Sequence, residues 1–168
     1  MSVPADQFKA ALGRFCSGVT VITVTDSDGD HAMTASAFSS LSLDPPLVLV
    51  CVKKTGNMHT RMSSATGFAV NVLDSAQESV SNRFAGWWNS EDSKWADLAV
   101  ERGPTSGAPM IGGSLASMDC TLHEALDGGD HTIFIGRVDH TRVDDRPREA
   151  LEPLLYFAGQ YRQLQPKS

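Results

Sequence analysis

The sequence predicts a mainly β protein, an antiparallel β-barrel with a few peripheral helices. Six or seven segments have the apolar or β-branched composition of strands, whereas only two have a clear helical pattern. The strand segments do not alternate regularly with helical ones, which disfavours a Rossmann-type parallel sheet. The sequence contains neither GxGxxG nor GxxxxGK[ST], so any dinucleotide must be held by other means.

The predicted strands differ in how strongly their composition supports them. The first is β-branched at every position, which strongly favours extended backbone. It is followed by a turn at residues 26–30, rich in Asp and Gly, and by a hairpin partner. The Asp-Gly-Gly-Asp turn at residues 127–130 separates a second pair of strands. The predicted strands cover residues 19–25, 31–38, 47–52, 68–73, 115–123, 131–139 and 154–157.

The first predicted helix lies near the N-terminus. Phe8, Leu12 and Phe15 recur at steps of four and three, which marks one apolar stripe of a helix, and Gly18 is expected to end it. A second, short helix is expected over residues 58–63, after a polar loop.

A further helix is predicted from Ser75 to about Phe84. Ser75 and Glu78 have the spacing of a capping box, in which the first side chain caps the helix and the other returns the hydrogen bond. Residues 86–113, rich in Trp, Ser, Gly and Pro, are expected to form an irregular crossing with a short helical piece.

Composition excludes several classes of function. The 168 residues are 41% hydrophobic and 20% charged, which is typical of one globular domain over residues 1–168. The net charge of −6 opposes binding to nucleic acid. No apolar run approaches the roughly 20 residues of a membrane helix, and the N-terminus lacks the pattern of a secretory signal. We therefore expect a cytoplasmic protein that is not bound to membranes.

The cysteines do not indicate a metal site or a disulfide framework. Cys16, Cys51 and Cys120 lie far apart, and no CxxC motif is present. Each lies in an apolar run, as expected of a small buried hydrophobic residue. No metal is expected.

The most unusual segment covers residues 33–42, where small and hydroxyl-bearing residues predominate. Small side chains let the backbone approach a flat ligand, and the hydroxyls offer donors and acceptors to ring carbonyls, ring nitrogens or phosphate. The alternative is an ordinary Ser/Thr-rich strand end and turn. The residues alone leave both interpretations open.

Several sequence blocks occur in a fixed order along the chain. They are GVTVIT (18–23), MTASAFSSLS (33–42) with PP (45–46), FAVNVL (68–73), RFAG (83–86), GDH (129–131) and PLLYF (153–157) with Gly159 and Tyr161. In this order and spacing they resemble the short-chain flavin reductases of the FMN-binding split-barrel fold, the reductase components of two-component flavin-dependent monooxygenases. The resemblance runs from about Phe8 to Tyr161.

The resemblance implies a fold, an activity and partners. The fold is an antiparallel split β-barrel, and the activity is hydride transfer from NADH or NADPH to FAD or FMN. Reduced flavin would be supplied to a partner monooxygenase, and the flavin would lie at the interface of a homodimer. A non-enzymatic flavin-binding or storage protein on the same fold is the alternative. The GDH block with Tyr156 favours the enzyme, because a storage protein has no need of it.

The resemblance also implies which residues hold the flavin. Lys53 would stabilise the electron-rich edge of the reduced ring, although a solvated strand end is the alternative. Arg83 would reach the phosphate, although a cation at a helix C-terminus is the alternative. Cys51 is interpreted as a wall residue and not as a redox thiol, because no resolving cysteine is near in sequence. The implied flavin contacts are Thr34, Ala35, Ser36, Ala37, Phe38, Ser40, Cys51, Val52, Lys53, Thr55, Asn57, Arg83 and Phe84.

His131, Tyr156 and Gly159 are the implied contacts of the nicotinamide. His131 would bind and orient the nicotinamide or its diphosphate without transferring a proton, and Tyr156 would form a second wall. For Tyr156, an aromatic residue of the barrel core is the alternative. No catalytic residue is predicted, because hydride transfer needs position and electrostatics more than a protein nucleophile.

Overall fold

The structure is a computed structural model that describes residues 2–87 and 93–164. The strands are β1 Ser17–Gly18, β2 Thr20–Asp26, β3 Gly29–Ala35, β4 Phe38–Leu43, β5 Pro46–Lys53, β6 Gly67–Val72, β7 Val100–Arg102, β8 Pro109–Ile111, β9 Ala116–Gly128, β10 His131–Val143, β11 Leu155–Phe157 and β12 Gln160–Arg162. Seven of them form one antiparallel sheet in the order β3-β2-β6-β9-β10-β5-β4. Strands β1, β11 and β12 form a second sheet, and β7 pairs with β8.

The large sheet curls into a barrel that is split between its two edge strands. Ala35 of β3 and Phe38 of β4 come from opposite edges of the sheet, yet both contact one apolar core. Phe68 and Phe134, from central strands, lie in the same core and are almost completely buried. The predicted mainly β, split-barrel fold is therefore confirmed.

Strand β5 shows how the sequence alternates between the two faces of the barrel wall. Val48, Val50 and Val52 are buried in the core, whereas Cys51 and Lys53 are more exposed. Because successive side chains of a strand point to opposite faces, Cys51 and Lys53 lie on the outer face.

Within the described residues, three α-helices lie around the barrel: α1 Ala5–Leu12, α2 Asn57–Ser64 and α3 Glu78–Asn82. The expectation that the first helix continues to Gly18 is wrong, since it ends at Leu12 and leaves Phe15 outside. No residue of α1 is buried, so its apolar stripe is left largely exposed on this chain.

The helix predicted from Ser75 exists, but its cap was misassigned. The cap is Asp74, whose carboxylate accepts from the Ala76 N–H at 2.9 Å and whose N–H donates to Gln77 Oε1 at 3.1 Å. This box replaces the predicted pairing of Ser75 with Glu78. A 3₁₀ turn leads into α3, which runs on into a π-helical turn over Arg83–Trp87.

Strand β4 is not among the strands predicted from the sequence, because its Ser-rich composition is typical of a turn. In the structure it pairs with β5, although the register shifts between Ser40 and Ser42. Part of the predicted irregular crossing, residues 88–92, lies outside the described residues. Within the ranges 2–87 and 93–164, no helix has the length and apolar character to cross a membrane.

Candidate active site

The candidate site is built around Ser36 and Ala37, which connect the two edge strands of the barrel. Both residues are exposed. The carbonyl of Ala37 accepts a hydrogen bond from the Cys51 N–H at 3.0 Å, which ties this junction to β5. Because β3 pairs only with β2 within its sheet, one side of its backbone is not used in strand pairing. A ligand can therefore reach backbone donors and acceptors here.

A cavity of about 200 Å³, here named the tyrosine cavity, opens on one side of the junction. Its lining includes Val19, Thr34, Ser36, Ser81, Tyr156 and Tyr161. The Thr34 hydroxyl donates to the Ser81 carbonyl at 2.6 Å, so it is already engaged. A ligand would consequently contact Thr34 mainly through the backbone.

A second hollow, of about 380 Å³, is here named the hairpin groove and adjoins the tyrosine cavity at Ser36 and Tyr156. The β11–β12 hairpin forms one wall. Its two turn residues, Ala158 and Gly159, have φ angles of +52° and +79°, the left-handed pair that a tight hairpin turn requires. Glycine adopts this conformation without strain, and the Ala158 N–H donates to the Gly13 carbonyl at 3.0 Å.

Lys53 and His131 face each other in register on the neighbouring strands β5 and β10. His131 Nδ1 is 2.8 Å from Asp130 Oδ1, and this hydrogen bond is the main cause that lowers the pKa of the Asp130 carboxyl. Since Nδ1 is engaged, Nε2 is the ring nitrogen left to meet a ligand.

The predicted nicotinamide residues therefore do not line a single cavity. Tyr156 and Gly159 contact the hairpin groove, whereas His131 lines neither that groove nor the tyrosine cavity. A ligand that touched both groups would have to extend beyond these two hollows.

A further cavity, of about 260 Å³, lies toward the start of β3. It brings together Asn57, the first residue of α2, and Phe84 from the π-helical turn, with Lys94 and Trp95 beside them. Thr55 lies in the exposed turn before α2 and does not line this cavity.

Arg83 and Phe84 have packing roles that the sequence did not predict. Arg83 is 8% exposed, and its Nη1 donates to the carbonyls of Lys94 and Ala96 and to Asp97 Oδ1, at 3.3, 3.0 and 3.0 Å. Phe84 is buried and packs on Trp95 with ring centroids 4.9 Å apart. These contacts hold residues 94–97 in place. A direct flavin contact by either side chain stays a prediction.

Other residues predicted to contact the flavin are only partly accessible to a ligand. The side chains of Ala35 and Val52 are buried in the barrel core, and Phe38 packs against it. Ala35 and Val52 therefore offer a ligand little accessible surface, whereas Phe38 is only partly buried. Ser40, on β4, is exposed.

The residues present fit a flavin. Ser36 and Ala37 are exposed and have small side chains, so a flat ring can approach their backbone closely. The tyrosine cavity and the hairpin groove add aromatic and apolar surface beside it. Within the described part of the chain, no three His, Cys, Asp or Glu side chains cluster so as to hold a metal ion.

The sequence interpretation missed the polar residues that support this site. Ser81 and Asn82 of α3 form hydrogen bonds with Tyr161, which lines the tyrosine cavity. Trp95 lines the cavity that lies toward the start of β3. The serine and asparagine have no special sequence pattern, because such contacts depend on elements about 80 residues apart.

Comparison with known proteins identifies the family. A family model described as a flavin reductase like domain matches residues 12–165. An NADH-dependent FAD reductase from Streptomyces globisporus is 39% identical over 161 residues, which cover 95% of this chain and 86% of the relative. The reductase component of a 4-hydroxyphenylacetate 3-monooxygenase from Thermus thermophilus is 38% identical over 159 residues, covering 95% of this chain and 96% of the relative.

A solved structure agrees with these sequence matches. The NADH:FAD oxidoreductase of Streptomyces globisporus C-1027, in complex with NAD and FAD fragments, has a TM-score of 0.87 to this chain at 38% identity. The match covers 100% of this chain and 99% of that one. Since sequence and fold agree over almost the whole length, this chain belongs to the flavin reductase-like domain family.

Proposed function

We propose that this single-domain protein is an NADH-dependent flavin reductase that binds FAD or FMN at the junction between β3 and β4. The observation that carries the proposal is the meeting of the tyrosine cavity and the hairpin groove at Ser36 and Tyr156, beside open backbone. When bound, the flavin supplies the ring that accepts the hydride. The protein supplies position and electrostatics.

Each group of residues has a distinct part in this proposal. The backbone from Thr34 to Phe38 and the exposed face of β5 at Cys51 hold the ring. The ammonium group of Lys53 offsets the negative charge that the ring gains on reduction. Tyr156 and His131 contact the nicotinamide.

The partner in this proposal is a monooxygenase that takes up reduced flavin. The relative from Thermus thermophilus is named as the reductase component of such an enzyme, which supports this assignment. The cytoplasm, predicted from the sequence, remains part of the proposal because NADH is held inside the cell.

A homodimer is also part of the proposal, and the exposed face of α1 supports it. Phe8, Leu12 and Phe15 are 57%, 56% and 77% exposed, and the last two line the hairpin groove. Apolar side chains grouped in this way are costly to leave in water, and a second copy would cover them. Light scattering should give a dimer for the parent protein and a monomer for the Phe8→Asp/Leu12→Asp double variant. A monomeric parent protein would contradict this part of the proposal.

The activity is tested by following NADH absorbance with flavin in molar excess over the protein. The reductase should consume many equivalents of NADH per protein, and only when FAD or FMN is present. Parallel assays with NADPH and with each flavin give the preferences. A protein that binds flavin but oxidises neither nicotinamide would instead be a storage protein.

A further inference from the structure

The end of α3 contacts both walls of the tyrosine cavity through one residue. The Ser81 carbonyl accepts a hydrogen bond from the Thr34 hydroxyl of β3 at 2.6 Å, and the Ser81 hydroxyl lies 2.8 Å from the Tyr161 hydroxyl of β12. Ser81 itself is fully buried. Because the carbonyl and the hydroxyl belong to the same residue, Ser81 sets the spacing between β3 and the β11–β12 hairpin.

Asn82 completes this network and fixes the direction of its protons. The Tyr161 hydroxyl donates to Asn82 Oδ1 at 3.0 Å. A phenol has one proton to donate, so the contact with Ser81 has the serine hydroxyl as donor and the tyrosine oxygen as acceptor. Hydrogen bonds in such a chain strengthen one another. The hydroxyl of Tyr161 is therefore committed to α3, although its ring lines the cavity.

Tyr156 depends on Tyr161 for its position. Tyr156 is 37% exposed, and its ring packs edge-on against Tyr161 with centroids 5.5 Å apart. This contact restricts the rotamers that the partly exposed ring of Tyr156 can adopt. Holding it in one rotamer before a ligand arrives reduces the entropy lost on binding.

We propose that Asn82 is a positioning residue for the nicotinamide: it holds the Tyr161 hydroxyl, and through the ring of Tyr161 it presets Tyr156 as a rigid wall of the tyrosine cavity. Ser81 acts in the same network. This inference rests on the proposed function, because it takes the nicotinamide as the ligand of that wall. Asn82 does not line the cavity, so its effect on binding must pass through the tyrosines.

The test uses variants that separate the acceptor oxygen from the bulk of the side chain. Asn82→Leu removes the acceptor at similar size, whereas Asn82→Asp keeps an oxygen that accepts from Tyr161. Tyr161→Phe removes the same hydrogen bond from the other side, together with the contact between Tyr161 and Ser81. Ser79→Ala, at an exposed position of α3, is the matched control.

Binding and kinetics are both measured. Calorimetry gives the Kd of NAD⁺ for the FAD-loaded protein, fluorescence titration gives the Kd of FAD, and steady-state assays give KM for NADH and kcat. Losing one neutral hydrogen bond that positions a wall should raise the NAD⁺ Kd and the NADH KM about threefold to tenfold in Asn82→Leu and Tyr161→Phe. The FAD Kd and kcat should stay within about twofold. Asn82→Asp and Ser79→Ala should match the parent protein within about twofold.

The double variant Tyr161→Phe/Asn82→Leu should bind NAD⁺ no more weakly than Tyr161→Phe alone, because that single variant already lacks the hydrogen bond that Asn82→Leu removes. A lower melting temperature with unchanged NAD⁺ affinity would show Asn82 to be purely structural and overturn the proposal. Equal losses in Asn82→Leu and Asn82→Asp would overturn it too, as would a parallel loss of FAD affinity. Absence of NADH oxidation by the parent protein would instead contradict the proposed function, and with it the ligand assigned to the cavity.

Discussion

The substitution His131→Ala separates the nicotinamide contact from the flavin contact. Nδ1 of His131 is bonded to Asp130, so Nε2 is available for one ligand hydrogen bond. Losing that bond should lower kcat/KM for NADH about tenfold, which corresponds to about 1.4 kcal/mol. Flavin affinity should stay nearly unchanged, because His131 lines neither of the two hollows that meet at the junction.

The assay varies NADH at saturating FAD and measures FAD affinity separately by fluorescence. Asp130→Ala should give a smaller loss than His131→Ala, because it frees the ring without removing it. His123→Ala, an exposed histidine on β9, is the matched control and should behave as the parent protein. Equal losses of FAD affinity and of kcat/KM would place His131 in the flavin site. An unchanged kcat/KM would refute the role assigned to it.

Three further predictions follow from the contacts and charges of the structure. Arg83→Ala should lower the free energy of unfolding in urea by about 1–3 kcal/mol, because it removes the hydrogen bonds by which the buried guanidinium holds residues 94–97. The same substitution should weaken FAD binding less, and lost FAD affinity at unchanged stability would place the guanidinium on the flavin. A thiol reagent should spare Cys120 in the native protein, since burial raises the pKa of its thiol to about 12. Saturating FAD should slow modification of Cys51, which is bonded to the junction through Ala37. A Cys51 rate that FAD leaves unchanged would remove β5 from the site. Hydrogen bonding to Arg61 is the main cause that lowers the pKa of Asp26 from 3.8 to about 2. Between these two values the unfolded state binds more protons than the folded state. The free energy of unfolding should therefore fall as the pH drops from about 4 to 2. Asp26→Asn should flatten that fall, and an unchanged slope in urea titrations would contradict the assignment.

The barrel could be predicted because the composition of most of its strands is typical of extended backbone. The β-branched residues of β2 and the apolar residues of β5 each predict a strand, and the structure confirms both strands. Strand β4 was missed because its serines favour turns, and its pairing with β5 depends on tertiary contacts. Asp74 was passed over as a cap because Ser75 with Glu78 has the same spacing one residue later.

The candidate site was predictable only in part. The small residues from Thr34 to Ala37 marked the junction, and the resemblance to the family supplied their meaning. Nothing in the local sequence showed that Arg83 points its Nη1 at residues 94–97, or that Asn82 meets Tyr161. Such contacts join segments that are distant in sequence, so they emerge only from the folded chain.

The central claim is that this chain passes a hydride from NADH to a flavin held at the β3–β4 junction. Anaerobic mixing of the FAD-loaded protein with one equivalent of NADH tests it in a single turnover. The account predicts that the NADH band and the oxidised-flavin band disappear together, at the same rate and in equal molar amounts. Flavin that stays oxidised while NADH is unchanged would contradict the claim.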